Sequence, residues 1–365
     1  MEFNVDKNEL QQALNIVSKG MTSRSTIPIL AGILISAEQD GIILQTTDLE
    51  TSIKHQVSAD VIEPGKIVVP GKLFNDIVKN LQNAAVHIKT EGTQAIITCM
   101  NSSFNVSTLL SDDFPEFPQV NTEQLISVPS KDLAHAVQRV AFAASTDVAR
   151  AILTGVLFEV TENKIRLLTT DSYRLAYADI PITITQESPF KAVIPSTTFL
   201  EISKLCVSEP AISIGFSENQ VVFSFGETKF VTRRVEGSYP DYENLVSINS
   251  DIKVTLDTKV FQDAVKRVCV IKEDKPHISV KLDSVAQKVT LSVYSQEAGE
   301  AQEIIDAQVE SEENLEVFFN GKHLLDGLNV IGEKVCLQFQ ENKRPTTLQQ
   351  IDDDNYLYLI VPLRI

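Results

Sequence analysis

The chain has 365 residues, a net charge of −17 and a hydrophobic content of 43%. No run approaches the ~18 apolar residues that a membrane-spanning helix needs, and the first residues lack the regions of a signal peptide, so we expect a cytoplasmic protein. The four cysteines, at positions 99, 206, 269 and 336, are too widely spaced for a zinc or disulfide framework and are typical of reduced, mostly buried thiols.

The predicted elements recur in three copies along the chain. A short apolar segment followed by a helical pattern recurs in steps of 123 and 128 residues, starting at Phe3, Ile126 and Val254. A turn that opens a second helix recurs in two steps of 125 residues, starting at Val69, Ile194 and Phe319. Repeats of this size are domains, and they predict three similar domains at 1–122, 123–247 and 248–365.

Each copy contributes two predicted helices. The first helix of the first copy carries a single apolar stripe, at Leu10, Ala13, Leu14 and Val17. N-caps are predicted just before the first helix of each copy, at Asp6, Ser130 and Asp257 or Thr258. The six predicted helices are 7–20, 72–81, 131–140, 197–205, 259–268 and 322–331. Between them the hydrophobic period falls to two, so the fold class is α+β, with two helices and antiparallel sheets in each domain.

The sequence Thr-Thr-Asp occurs at 46–48 and again at 169–171, also 123 residues apart. Recurrence at equivalent positions favours a hydrogen-bonded turn over a catalytic or metal-binding carboxylate. The histidines are scattered, and neither glycine-rich phosphate-binding motif is present. We therefore predict a non-catalytic protein with no cofactor and no metal site.

Positive charge is concentrated on the predicted helices. They sum to +5, which leaves −22 for the rest of the chain. One interpretation is that Lys and Arg are good helix formers on solvated faces. The other is that a repeated helix pair presents one weakly basic surface to DNA, along which such a protein could slide.

The whole chain resembles the bacterial sliding clamp family, the β subunit of DNA polymerase III. The resemblance is carried by five segments, 24–30, 69–72, 169–176, 237–242 and 360–365. It implies a processivity factor in which two crescent monomers join head to tail into a closed ring of six domains, with helices lining the hole. It also implies a pocket for partner peptides beside the C-terminus.

The resemblance assigns that peptide-binding pocket to an apolar wall with a few polar edges. Its residues are Leu153, Thr170, Ser172, Tyr173, Arg174, Leu175, Pro240, Leu245, Thr346, Leu359, Val361, Pro362, Leu363 and Arg364. At Ser172-Tyr173 the family usually has a Gly-His pair, so the fuller side chains are expected to narrow the mouth of the pocket.

The resemblance also implies DNA contacts and a dimer interface. Ser196, Thr197 and Thr198 are neutral where the family often has basic residues. The DNA-binding candidates are therefore Arg24, Lys72, Arg139 and Arg150. The interface candidates are Lys72, Phe104, Val106, Val270 and Ile271.

The partners implied are encircled double-stranded DNA, a second copy of the chain, the DNA polymerase III α subunit, clamp-loader subunits, translesion polymerases and repair proteins. The last four would bind through linear motifs. The alternative hypothesis is an acidic peptide-binding scaffold that never encircles DNA.

Overall fold

The computed structural model describes residues 1–22, 26–122, 124–182, 189–246, 250, 252–271, 277–311, 314–340 and 344–364. The chain forms two compact units. Unit 1 contains residues 1–131 and 201–234, and unit 2 contains residues 132–200 and 235–365.

Seven α-helices lie within the described ranges. They are α1 (Lys7–Val17), α2 (Gly71–Asn80), α3 (Ser130–Val140), α4 (Ser196–Cys206), α5 (Glu243–Val246), α6 (Thr258–Val268) and α7 (Gly321–Leu328). None of the described helices combines the length and apolar character needed to cross a bilayer.

Runs of consecutive strands separate most of the helices. In chain order they are β1 (Glu2–Asp6), β2 (Gly32–Glu38), β3 (Gly41–Thr47), β4 (Thr51–Val57), β5 (Asp60–Glu63), β6 (Gly65–Pro70), β7 (Ala85–Glu91), β8 (Gln94–Cys99), β9 (Ser102–Ser107), β10 (Gln124–Pro129), β11 (Gly155–Val160), β12 (Lys164–Thr170), β13 (Arg174–Pro181), β14 (Phe190–Pro195), β15 (Ala211–Phe216), β16 (Gln220–Phe225), β17 (Thr228–Arg233), β18 (Ile252–Asp257), β19 (His277–Asp283), β20 (Lys288–Ser295), β21 (Gly299–Asp306), β22 (Gln308–Glu310), β23 (Glu316–Asn320), β24 (Lys334–Phe339), β25 (Thr346–Gln350) and β26 (Tyr356–Ile360).

Unit 1 contains two antiparallel sheets, in the orders β5-β1-β7-β8-β9 and β10-β15-β16-β17-β4-β3-β2-β6. Helices α1 and α2 lie side by side, and Gln11 donates a hydrogen bond to Asn75 across them at 2.9 Å. The predicted apolar stripe of α1 is fully buried. It packs against β3 and β4, so the core of unit 1 lies between helix and sheet.

Unit 2 repeats this arrangement with a nine-stranded and a four-stranded sheet. Their orders are β14-β11-β12-β13-β26-β25-β24-β18-β22 and β21-β20-β19-β23. Helices α6 and α7 pack together, and α6 lies against β20 and β21. The antiparallel α+β class predicted from the sequence is confirmed in both units.

The six predicted helices are present, with small differences at their ends. Asp6 caps α1 by accepting hydrogen bonds from the amides of Asn8 and Glu9, and Asp257 caps α6 by accepting one from Val260. The predicted N-cap at Ser130 is wrong, because Ser130 is the first residue of α3 and Pro129 precedes it. Helix α5 was not predicted, since four residues are too few to show a helical period.

The repeats also share an anchor between helix and sheet. The hydroxyl of Thr46 donates to the carbonyl oxygen of Val17 at the end of α1, and the hydroxyl of Thr169 donates to that of Val140 at the end of α3. Both hydroxyls are buried. A buried hydroxyl needs such a partner, so this threonine is required by the same backbone geometry in both copies.

The predicted domain limits involve residues 123, 247 and 248, which lie outside the described residues. Residues 132–200 of the middle predicted domain belong to unit 2, and residues 201–234 belong to unit 1. The limits 1–122, 123–247 and 248–365 therefore stay a prediction.

The contact between Gly327 on α7 and Tyr358 on β26 generates a stability prediction. A Cβ at position 327 would lie 2.3 Å from Cδ1 of the fully buried Tyr358 ring, whose hydroxyl donates to the carbonyl oxygen of His323 at 2.8 Å. Alanine ordinarily favours a helix over glycine by about 1 kcal/mol, but overpacking costs about 1–3 kcal/mol. Gly327→Ala should therefore lower the free energy of unfolding in urea. Lys322→Ala, at an exposed position on the same helix, should leave it nearly unchanged. A Gly327→Ala variant as stable as the parent would contradict this packing.

Candidate functional site

The candidate site lies in unit 2, where β13 and β26 pair although they are far apart in sequence. Arg174 pairs with Ile360 and Leu175 with Leu359. On its other side β26 pairs with β25, which places Thr346 opposite Ile360. This register brings the C-terminal residues beside the turn that precedes β13.

That turn is the second Thr-Thr-Asp sequence. The carboxylate of Asp171 accepts hydrogen bonds from the amides of Tyr173 and Arg174, at 2.9 and 3.0 Å. The hydroxyl of Thr170 donates to the carbonyl oxygen of Arg174 and accepts from the amide of Ser172. Ser172 has a φ of +78°, a left-handed conformation that glycine adopts more easily.

The first Thr-Thr-Asp sequence forms the same turn in unit 1. Asp48 accepts from the amides of Glu50 and Thr51, and the hydroxyl of Thr47 donates to the carbonyl oxygen of Thr51. Leu49 takes the left-handed position, with a φ of +76°. The predicted role of the two aspartates in turn hydrogen bonds is confirmed.

The side chain of Arg174 stabilises this turn. Its guanidinium donates to Asp171 at 3.0 Å, to Asp326 at 2.6 Å and to the carbonyl oxygen of Phe142 at 2.9 Å. The side chain is buried, so these partners compensate for the desolvation of its charge. Arg174 fixes the shape of the site without presenting its charge to solvent.

An apolar cluster backs the site. Leu175 and Leu359, neighbours across the β13–β26 pair, are nearly inaccessible and pack in one group with Leu157, Leu168 and Tyr242. Partly buried Ile152, Val235, Tyr239 and Val246 extend this group towards the surface. The predicted residues Leu153, Pro240 and Leu245 are sequence neighbours of Ile152, Tyr239 and Val246 in this group.

Tyr242 joins this cluster to a charged network that sequence reasoning missed. Its hydroxyl donates to the carboxylate of Glu159, which also pairs with Lys191 at 2.8 Å. Burial alone would raise the pKa of Glu159, but the hydrogen bonds from Lys191 and Tyr242 lower it below its ordinary value. Burial and the adjacent carboxylate together raise the pKa of Tyr242. This network fixes the segment that carries Pro240.

The C-terminal residues are held in place by backbone hydrogen bonds. The amide of Val361 donates to the carbonyl oxygen of Tyr173 at 2.9 Å, and the amide of Leu363 donates to that of Phe318 at 2.7 Å. Tyr173, Leu245 and Val361 nevertheless expose 61%, 45% and 36% of their surface. Apolar side chains that are exposed while their backbone is fixed are suited to contact a partner.

The predicted wall residues thus fall into three groups by exposure. The buried ones back the site: Leu153, Arg174, Leu175, Thr346, Leu359 and Pro362. The half-buried ones are Thr170 and Leu363. The exposed ones form its rim: Ser172, Tyr173, Pro240, Leu245, Val361 and Arg364.

The four DNA-binding candidates differ in their surroundings. Lys72 is exposed near the start of α2, and Arg24 lies outside the described residues. Arg139 is 7% exposed, pairs with Asp353 at 2.7 Å and stacks over a tyrosine ring, and these contacts do not favour a phosphate contact.

Arg150 pairs with Asp147 and donates to the hydroxyl of Ser172 at 2.9 Å. Its guanidinium therefore lies at the turn of the candidate site, which the sequence did not indicate.

Two of the interface candidates, Phe104 and Val106, lie on an edge strand. Phe104 is 38% exposed on β9, the edge of its sheet in unit 1, whereas Val106 on the same strand is buried. In unit 2, Val270 is 71% exposed just after α6. The sequence did not indicate the edge strand β21, where Ile304 is 58% exposed. The sequence of this strand, Gly-Glu-Ala-Gln-Glu-Ile-Ile-Asp, does not alternate regularly between polar and apolar residues, so no periodic signal marks it.

Comparison with known proteins adds three family matches that together span almost the whole chain. The DNA polymerase III beta subunit models match with their N-terminal domain at residues 1–118, their central domain at 127–241 and their C-terminal domain at 244–364. The beta sliding clamps of Staphylococcus aureus and Staphylococcus epidermidis are 33% and 32% identical, over 100% of this chain and 99% of theirs.

Solved structures of DNA polymerase III beta subunits also match this chain over its whole length. The DNA polymerase III subunit beta from Pseudomonas aeruginosa matches with a TM-score of 0.95 and 27% identity, covering 100% of both chains. The DNA polymerase sliding clamp from Bacillus subtilis matches with a TM-score of 0.94 and 30% identity, covering 100% of this chain and 99% of its own.

The bond between Tyr242 and Glu159 generates a pH prediction. Because the folded-state pKa of Glu159 is lowered, its ionised form contributes stability that is present above its unfolded pKa, about 4.3, and is lost as the pH falls through the folded value. Tyr242→Phe removes one cause of that shift. At pH 7 it should lower the free energy of unfolding by about 1.5–3 kcal/mol, the usual contribution of a hydrogen bond to a charged group.

The difference from the parent should shrink as the pH of the unfolding measurement falls through the lowered folded-state pKa of Glu159, because the carboxylate is then lost in both proteins. Tyr294→Phe, at a tyrosine that is 69% exposed, should have little effect at either pH. A Tyr242→Phe difference that does not vary with pH would refute the assigned bond.

Proposed function

Since the chain belongs to the DNA polymerase III beta subunit family, we infer that it works as a sliding clamp that encircles duplex DNA and tethers the replicative polymerase to it. It is a non-catalytic processivity factor. Full-length similarity to beta sliding clamps favours this function over an acidic scaffold that does not encircle DNA. We place the clamp in the cytoplasm, where the DNA of its bacterial relatives is replicated.

The observation that carries the assignment of the partner site is the apolar rim beside the fixed C-terminal residues. Tyr173, Leu245 and Val361 are exposed there, and Leu175 and Leu359 lie buried behind them. A concave apolar wall with a few polar groups is what a short peptide with apolar anchors requires. The DNA polymerase III α subunit, clamp-loader subunits, translesion polymerases and repair proteins would bind there through linear motifs.

Two rim residues suggest how the peptide specificity of this protein differs from that of other family members. Ser172 and Tyr173 replace smaller or more polar residues at the turn, and Tyr173 is mostly exposed. The backbone of Tyr173 is bonded to that of Val361, since the amide of Val361 donates to the Tyr173 carbonyl oxygen. An exposed aromatic ring at this position would favour peptide motifs with Leu or Phe as an anchor.

DNA contact would be sequence-independent, through phosphates. The exposed Lys72 is the candidate that the geometry supports best among the described residues, and Arg24 is proposed with it from the sequence alone. Few such contacts suit a protein that must slide, because each phosphate contact adds affinity and salt dependence.

A ring requires a second copy of the chain. We propose that the edge strand β9 of one protomer, with Phe104, meets the edge strand β21 and the Val270–Ile271 segment of its partner. Edge strands with unpaired backbone groups and exposed apolar side chains are suited to pairing of this kind. The two other candidates, Lys72 and the buried Val106, would lie close to that contact.

Leu363→Asp tests the peptide site. It places an unpaired charge in the apolar wall, and burying one apolar anchor is worth about 1.5–3 kcal/mol, so the affinity for a peptide should fall at least about tenfold. Fluorescence anisotropy with a labelled peptide from the polymerase C-terminus would measure it. Val285→Asp, at a site 92% exposed in unit 2, makes the same chemical change and should bind normally. Affinity within twofold of the parent for Leu363→Asp would mean that the peptide binds elsewhere.

The double variant Val270→Ala, Ile271→Ala tests the ring. It removes apolar surface from the proposed contact and should give a folded monomer in analytical ultracentrifugation. After loading, the parent should stay on circular DNA and leave linearised DNA, and the double variant should stay on neither. Val285→Ala is the control and should behave as the parent. A double variant that still sediments as a dimer would show that the interface lies elsewhere.

A further inference from the structure

Unit 1 contains a second groove, on the outer face of its larger sheet. Its volume is about 860 Å³, and it lies between the strands and the segment 111–121. The amide of Gln45 on β3 donates to the carbonyl oxygen of Pro115 at 3.0 Å, which holds that segment over the sheet. Three lysines line the groove: Lys54, Lys66 and Lys229.

Two of these lysines face each other directly. Lys54 on β4 is paired with Lys229 on β17, and like charges at directly opposed positions destabilise a sheet. Burial, followed by the charge of Lys229, lowers the pKa of Lys54. The ammonium group of Lys54 lies 4.7 Å from the centre of the Phe117 ring. Among the described residues, no carboxylate approaches any of the three lysines within 4.0 Å.

Among the described residues that line the groove, carboxylates lie only at its edge and on its cover. Glu38 lies at the end of β2, and Asp112 and Glu116 lie on the covering segment; all three are exposed. The strands beneath carry the lysines. A ligand lying on the strands would therefore meet positive charge first.

The repeat provides an internal comparison. In unit 2, Tyr177 is paired with Leu357 in the register that Lys54 and Lys229 occupy in unit 1. Both belong to the apolar cluster behind the candidate peptide site. At the equivalent place unit 1 carries two cations, although this brings like charges together. The Phe117 ring and the charge of Glu38 offset part of this repulsion, and the remaining local cost is of the kind that is typical of a binding site.

We propose that this groove of unit 1 binds an extended acidic peptide segment of a partner protein. Lys66 lies on β6, three strands away from β4, which corresponds to about 14 Å. An extended chain covers that distance in about four residues. The segment should therefore carry acidic residues about four positions apart, one near Lys54 and Lys229 and one near Lys66.

The test uses the full-length protein and a fluorescein-labelled ten-residue peptide with two Asp-Glu pairs four positions apart, measured by anisotropy at low ionic strength. The net charge of −17 opposes binding of such a peptide elsewhere on the surface. The double variant Lys54→Gln, Lys229→Gln should weaken binding at least about tenfold. Its thermal midpoint should equal or exceed that of the parent, because the opposed charges are removed.

The matched control is Lys253→Gln, Lys288→Gln, which makes the same charge change at two exposed lysines of unit 2 and should bind as the parent does. Leu363→Asp should also bind this peptide normally, which separates the groove from the apolar peptide site. The proposal is overturned if the parent does not bind, or if the control loses as much affinity as the double variant. It is also overturned if a ten-residue oligothymidine binds more tightly than the peptide with the same dependence on Lys54 and Lys229, because the occupant would then be a nucleic acid.

Discussion

The structure depends most on the antiparallel pairing of strands that belong to different repeats. β13 pairs with β26 in unit 2, and β4 pairs with β17 in unit 1, in the same relative register. Each pairing satisfies backbone hydrogen bonds that an edge strand would leave open, and each closes a long loop of chain. In unit 2 the same pairing sets Tyr173 beside Val361 and so creates the apolar rim. The candidate peptide site is therefore a consequence of sheet continuation.

Much of the fold was accessible from the sequence because the chain repeats itself. The stripe of Leu10, Ala13, Leu14 and Val17 predicted a helix, and the recurrence of Thr-Thr-Asp predicted a turn, since local hydrogen bonds determine both. Helix α5 and strand β21 were missed because a four-residue helix and an exposed edge strand carry little hydrophobic periodicity.

The site residues were predictable to a lesser degree. Family resemblance indicated which positions surround the groove, but it could not indicate burial. Arg174 and Arg139 look alike in sequence as exposed cations, yet the first is held by two carboxylates and a carbonyl oxygen and the second stacks on Tyr356. Glu159 and Tyr242 are 83 residues apart, and only the folded sheet brings the hydroxyl to the carboxylate. Contacts between distant positions of this kind have no local sequence signal.

The hydrogen bond from Arg150 to Ser172 has a thermodynamic consequence. Nη1 of Arg150 donates to the Ser172 hydroxyl, so a DNA phosphate that took this same donor would break that bond. If a phosphate recruits Arg150, the turn at the rim loses a restraint, and occupancy of the two sites becomes coupled. By reciprocity, a peptide that tightens this turn must weaken the phosphate contact by the same factor. Because Arg150 is exposed, that factor would be on the order of fivefold or less.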